Sequence, residues 1–147
     1  HVKDHPFGAL AVGRVKARFA ALQDARVADL AAGILAGERR KLPVNIIFSD
    51  DPTLCDLNPR FRKKNRPTDV LSFPADPEMG VLGDINISID AAIRQAEEYG
   101  WTLKEEILRL ACHGVLRLCG YDHHKKTDAA VMRAKEEKYL KRYAANR

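Results

Sequence analysis

The sequence lacks several features that would place it in a specialised class of protein. No apolar run in its 147 residues is long enough to cross a membrane, so we expect no membrane partner. Its three cysteines, Cys55, Cys112 and Cys119, are odd in number and include no Cys-x-x-Cys pair. A disulfide scaffold is therefore disfavoured, Cys112 and Cys119 are expected to be packing residues, and a reducing, cytoplasmic location is expected.

The charge of the chain is modestly positive and partly clustered. Lysine plus arginine number 25 against 20 acidic residues, a net charge of +5. Two basic groups stand out: Arg60, Arg62, Lys63, Lys64 and Arg66, and then His124, Lys125 and Lys126. Clustered positive charge suits a polyanionic partner, and it is equally typical of a solvated surface, so charge alone leaves both interpretations open.

Four short segments have the composition or period of β-strands. They cover residues 15–19, 43–49, 69–73 and 82–89. The first is expected at a sheet edge, and Pro74 is expected to stop the third. In the fourth, Ile85, Ile87 and Ile89 share one face.

Helical patterns fill most of the remaining chain. They cover residues 25–38, a stretch from Asp50 or Asp51 to about Arg62, and residues 90–99, 103–119 and 127–143. Asp24 and Asp90 are predicted N-caps, and Thr102 with Glu105 predicts a capping box. The order indicates an α+β fold: one domain over residues 1–147, with a four-stranded mixed sheet packed against helices.

The segment His113-Gly-Val-Leu-Arg-Leu-Cys-Gly-Tyr-Asp-His123 has the spacing of a zincin-like metal site. Positions 113 and 117 share one face of a helix, Gly120 can end that helix, and the chain can then bring His123 back. Three histidines would form an open zinc site, but position 117 holds Arg117, whose guanidinium has no lone pair to donate.

This motif has two other interpretations, a structural histidine and a peptidase site. His113 alone would most often be a hydrogen-bonded core histidine, but its spacing to Gly120 and His123 favours a site. Protease versions of the layout place a glutamate after the first histidine, and this chain has Gly114 there. Peptide hydrolysis is therefore disfavoured.

The motif resembles the signature of the YbeY family of rRNA-maturation endoribonucleases, His-Gly-x-Leu-His-Leu-x-Gly-Tyr-Asp-His. Three more segments agree: Leu57-Asn-Pro-Arg-Phe-Arg62, Pro67-Thr-Asp-Val-Leu-Ser-Phe-Pro74 and Leu82-Gly-Asp-Ile-Asn-Ile-Ser88. The resemblance is strongest over residues 44–140, and residues 1–40 contribute little to it.

The resemblance implies a metal-dependent endoribonuclease that acts on single-stranded rRNA in rRNA maturation and ribosome quality control. It implies one zinc ion, a ribosomal subunit as partner, and no DNA substrate. His113 and His123 become the first and third metal ligands, and Arg62 the functional arginine near the metal. Arg62 and His113 are thus the catalytic candidates, and Arg62, Lys63 and Lys64 the substrate-binding candidates.

Arg117 stands where the resemblance expects the second ligand, which predicts impaired metal binding and cleavage. His124 or Asp122 could supply a substitute donor, and Asp84 is a candidate to orient a histidine. The alternative function is a catalytically inactive RNA- or ribosome-binding module. A generic metal hydrolase on small substrates is less consistent with the basic cluster.

Overall fold

The described strands form one sheet, and three helices follow the last strand and pack, with the helix before the second strand, around it. The computed structural model describes residues 10–11, 25–49, 70–121 and 126–144. The strands are β1 (Leu10–Ala11), β2 (Val44–Ser49), β3 (Val70–Pro74) and β4 (Gly83–Ser88). The helices are α1 (Ala25–Gly37), α2 (Ile89–Tyr99), α3 (Leu103–Leu118) and α4 (Lys126–Ala144), with a short 3-10 turn at Pro77–Met79.

The sheet is mixed, with strand order β1-β2-β4-β3. β2 is parallel to β1 and β4, and β3 is antiparallel to β4. Ile46 lies opposite Ile85 and Phe48 opposite Ile87, and all four side chains are buried. Because side chains alternate between the two faces of a strand, this register gives the sheet one predominantly apolar face.

Helix α3 packs against that apolar face and is the central element of the core. It contacts α1, α2, α4, β3 and β4. Its buried side chains include Ile107, Leu108, Leu110, Ala111, Cys112, Val115, Leu116 and Leu118. A helix that buries this much of its circumference leaves only a narrow strip accessible, formed by Glu105, Arg109, His113 and Arg117. That accessible strip carries the candidate site.

Most elements lie where the sequence predicts them, and the α+β class is confirmed. Helix α1 follows the predicted residues 25–38, and β2 the predicted residues 43–49. The capping box is present: Glu105 N–H donates to Thr102 Oγ1 at 3.1 Å, and Thr102 N–H donates to Glu105 Oε1 at 3.0 Å. No helix within the described ranges is long and apolar enough to span a membrane.

Two details of the prediction are wrong. Pro74 belongs to β3 rather than stopping it, because β3 is the sheet's edge strand and a missing N–H is tolerated there. Ser88, not Asp90, caps α2: its hydroxyl accepts from Ala91 N–H at 3.1 Å, while Asp90 lies in the first turn. Ile89 therefore begins a helix instead of ending a strand.

Some expectations fall outside the described residues. These are the edge strand at 15–19, the Asp24 cap and the helix between Asp50 and Arg62. The described strand next to β2 on that side is the two-residue β1.

Candidate active-site helix and its anchors

The end of α3 is fixed by a hydrogen-bonded C-terminal turn. Gly120 has φ +103°, a left-handed conformation that side-chain-bearing residues rarely adopt. Its N–H donates to Arg117 O at 3.0 Å, and Tyr121 N–H donates to Leu116 O at 3.1 Å. This pair of bonds is the Schellman arrangement, and it confirms the prediction that Gly120 ends the helix.

Gly114 is explained by packing. A Cβ at this position would lie 2.5 Å from Ile85 Cγ2, so only glycine lets α3 approach β4 this closely. Ser72 Oγ on β3 donates to Gly114 O at 3.1 Å and ties the helix to the sheet edge. The position that a zincin protease gives to its general base is here a backbone contact.

His113 and Arg117 lie one helical turn apart on the accessible strip of α3, as the spacing predicts. Both are half-buried, between fully buried neighbours. His113 retains 25% of its side-chain exposure, and its Nδ1 lies 3.6 Å from Oε2 of Glu136 on α4. That distance is an electrostatic contact rather than a hydrogen bond.

Glu136 is a candidate functional residue that sequence reasoning missed. It lies on α4 between Met132 and Tyr139, whose side chains are 1% exposed, at the spacing of one inward-facing row. The signal in the sequence that could have identified Glu136 is a carboxylate in a row of otherwise apolar, inward-facing positions. Asp84 was the sequence candidate for orienting a histidine, but it alternates with Ile85, which faces α3, and it accepts from Asn45 Nδ2 at 2.9 Å. Asp84 therefore points away from α3.

A largely buried carboxylate, Glu38, whose side chain is 9% exposed, anchors the turn after α3. It accepts hydrogen bonds from Tyr121 Oη, Tyr139 Oη and, at 3.2 Å, Lys135 Nζ. Burial alone would raise the pKa of Glu38, but these three donors together lower it below its ordinary value. The same contacts raise the pKa of Lys135. Arg40 Nη2 adds a 2.8 Å hydrogen bond to Cys119 O, so the end of α1 grips the end of α3.

Cys112 and Cys119 are free thiols buried in the core. Burial raises the pKa of both, which keeps them protonated and poor as nucleophiles or metal ligands. Their predicted role as packing residues is confirmed.

The structure describes only part of the predicted site. It brings together His113 and Arg117. The remaining predicted site residues lie outside the described ranges, namely Arg62, Lys63, Lys64, His123 and the substitute donors Asp122 and His124.

The chain matches the family description "Endoribonuclease YbeY" over residues 16–144. It belongs to the YbeY family. An endoribonuclease YbeY from Nautilia profundicola is 48% identical over 100 residues, which cover 67% of this chain and 70% of that protein. Another from Pelotomaculum thermopropionicum is 44% identical over 114 residues, covering 72% and 75%. A solution structure of a Thermotoga maritima protein, 29% identical, superposes with a TM-score of 0.60 over 94% of this chain and 91% of that one.

The YbeY signature implies a zinc ion, and of its three ligand positions the structure describes 113 and 117, while His123 lies outside the described residues. Within the described ranges there is no group of three His, Cys, Asp or Glu side chains able to hold a metal. On α3, the residue one turn after His113 is Arg117, which carries a fixed positive charge and no lone pair. The family's signature and this chain's donor set thus disagree at a single position.

Proposed function

We propose that this chain acts on single-stranded rRNA in rRNA maturation, as an endoribonuclease whose metal-dependent cleavage is impaired by Arg117. Membership of the YbeY family supports the RNA substrate and the reaction class. The observation that carries the proposal is the position of Arg117, one turn from His113 on the accessible strip of α3.

Arg117 has chemistry of its own to offer an RNA strand. A guanidinium can donate two parallel hydrogen bonds to a phosphate and keeps its charge at any physiological pH. His113 lies one turn away on the same strip, with its Nδ1 facing Glu136. The guanidinium of Arg117 thus suits a phosphate, whereas a zinc site would require a neutral ligand at 117.

Residues outside the described ranges complete the proposal. Arg62, Lys63 and Lys64 would hold the RNA backbone, and His123 would be the second histidine of the site. A form of the chain with three metal ligands would bind zinc. The setting would be a ribosomal subunit in the cytoplasm, with a role in ribosome quality control.

A second candidate function is favoured by the same arginine. A chain that holds RNA but cannot complete a metal site would serve as a non-catalytic RNA- or ribosome-binding module. Binding and cleavage measured on the same RNA separate this module from an impaired enzyme.

The test compares the chain with Arg117→His and Arg117→Gln on a labelled single-stranded rRNA fragment. We expect the unmodified chain to bind and to cleave poorly, and Arg117→His to cleave faster when zinc is supplied. Arg117→Gln is the matched control, because it removes the charge without adding a ligand. Equal cleavage by all three forms would contradict the impairment, and absence of RNA binding by the unmodified chain would contradict the function.

The basic segment is tested by salt. Each phosphate contact with single-stranded RNA contributes about 0.7 to the slope of log affinity against log salt. Replacing Arg62, Lys63 and Lys64 with alanine should weaken binding and flatten that slope. An unchanged slope would show that this segment is not the footprint.

A further inference from the structure

The accessible strip of α3 follows a strict repeat of four. From Glu105 to Leu118, the side chains that reach solvent are Glu105, Arg109, His113 and Arg117, and the others are buried. Successive members are about 6 Å apart along the helix axis. The accessible strip that carries His113 and Arg117 therefore extends toward the start of α3, with no buried side chain interrupting it.

An exposed aromatic pair lies at that end of the strip. Tyr99 and Trp101 are 57% and 43% exposed, among the most exposed large hydrophobic residues of the described chain. Their ring centroids are 5.1 Å apart, with planes inclined by 30°. The guanidinium of Arg109 lies 5.8 Å from the Trp101 ring centroid.

Arg109 is held firmly in this position. Its Nε and Nη2 donate to the two carboxylate oxygens of Glu106, each at 2.8 Å, and Nη2 also contacts Gln95 Oε1 at 3.4 Å. The Glu106 side chain is fully buried. The guanidinium is thus a fixed planar surface next to the Trp101 ring, an arrangement that loses little conformational entropy when a flat ligand stacks on it.

We propose that Tyr99, Trp101 and Arg109 form a base-stacking subsite for single-stranded RNA, which begins at Arg109, one helical turn from His113, and extends past the start of α3 to the two rings. The inference rests on the proposed function and specifies where a nucleotide further along the strand from the reactive one would bind. Aromatic rings and arginine planes stack on any base, so the subsite would add affinity without strong sequence preference.

Charge argues for a base here rather than a phosphate. Glu97 and Glu98 are exposed on the last turn of α2, Glu105 lies on the strip itself, and Glu106 balances Arg109. Arg94 and Lys104 are also exposed on α2 and α3, so three acidic side chains remain against two basic ones. This excess does not favour a phosphate, and a neutral base is not repelled by it. Arg117, at the other end of the strip, is the residue suited to bind the phosphate backbone of the RNA.

Trp101 is the chain's single tryptophan, so its fluorescence reports directly on the subsite. A short single-stranded RNA is titrated into the unmodified chain, and Trp101 emission is followed together with the anisotropy of a label on the RNA. We expect the two signals to change with the same midpoint. An RNA of equal length made of abasic nucleotides should bind more weakly and leave the emission nearly unchanged.

Substitutions test the same subsite. Tyr99→Ala and Trp101→Ala should each weaken binding on the order of 10-fold, with no change in salt slope, because stacking releases no counterions. Trp101→Phe should retain most of the affinity. Met79→Ala is the matched control, since Met79 is an exposed apolar side chain, 72% accessible, on the β3–β4 connection.

The outcomes separate the subsite from the function on which it rests. RNA binding without a change in Trp101 emission, together with unchanged affinity in both alanine variants, overturns the subsite and leaves RNA binding standing. No RNA binding at low salt overturns both. If an alanine variant is shown to be unfolded by circular dichroism, the emission and abasic comparisons on the unmodified chain decide.

Discussion

The hydroxyl of Tyr121 donates a 2.5 Å hydrogen bond to Oε1 of Glu38, joining the turn after α3 to the end of α1. The second carboxylate oxygen accepts from Tyr139 and Lys135 of α4. Three elements far apart in sequence thus meet at one buried acid. The segment around Glu38 contributes little to the family resemblance, yet it holds Tyr121, which lies two positions before the end of the motif at His123.

Removing that acid should destabilise the fold. Glu38→Ala removes the shared acceptor of the buried Tyr139, the partly buried Tyr121 and Lys135, which we expect to cost about 2–4 kcal/mol of unfolding free energy. Urea denaturation measures the loss. Glu98→Ala, at an exposed acid of α2, is the control and should cost little. A loss no larger than that of the control would mean that the cluster contributes nothing to stability.

The same acid predicts a pH dependence. Its folded-state pKa is lowered, so it binds a proton less readily in the folded than in the unfolded chain. Its contribution is therefore fully present above the unfolded-state pKa, about 4.3, and is lost as pH falls through the lower folded-state value. The stability difference between the chain and Glu38→Gln, measured by denaturation at several pH values, should shrink in acid. A difference that stays constant below that pKa contradicts the assignment.

Gly114→Ala should weaken the contact between α3 and the sheet. The new Cβ would meet Ile85 Cγ2 at 2.5 Å, and such overpacking costs about 1–3 kcal/mol. Ile85→Ala removes the atom that clashes, so the double variant should lose less stability than the sum of the two single losses. Strict additivity would show that the close approach is not what selects glycine.

Two glycines with positive φ allow a graded test of strain. Gly120 has φ +103° and Gly100 has φ +71°; alanine at Gly100 would meet no atom within 4 Å, and at Gly120 only Arg40 Nη2 at 4.0 Å. Conformation rather than space therefore sets the cost. The φ of Gly100 lies near the left-handed region that other residues can adopt, so Gly100→Ala should cost about 1 kcal/mol of unfolding free energy. The φ of Gly120 lies farther from that region, so Gly120→Ala should cost more. Thermal unfolding of both variants gives the order, and the reverse order would contradict this account of the turn.

Local sequence signals were sufficient for α3 and for the relation between His113 and Arg117. The capping box at Thr102, the apolar period and Gly120 all act within one or two turns, where sequence spacing maps directly onto geometry. They could not identify the partners that other elements bring in. Glu38 meets Tyr121 from 83 positions away, and Glu136 faces His113 from the next helix. Such contacts depend on how helices pack, which no local pattern specifies.

The error at the start of α2 has a similarly local cause. Ser88 and Asp90 are both good capping residues, and only the backbone conformation of Ser88, with ψ 118°, decides between them. The alternation of apolar and polar residues continues through Ile89, so the sequence pattern favoured Asp90 as the cap. Because Ile85 and Ile87 still face α3, the core was predicted correctly despite the shifted boundary.

The most direct test of the central claim is the zinc content of the chain and of Arg117→His, measured by elemental analysis after equal loading and dialysis. A guanidinium at 117 supplies no ligand and repels a dication, so we predict little zinc on the chain as it stands. Arg117→His should retain about one zinc per chain, and Arg117→Gln little. Stoichiometric zinc on the arginine form, with no gain from histidine, would show that another group completes the site and would contradict this account.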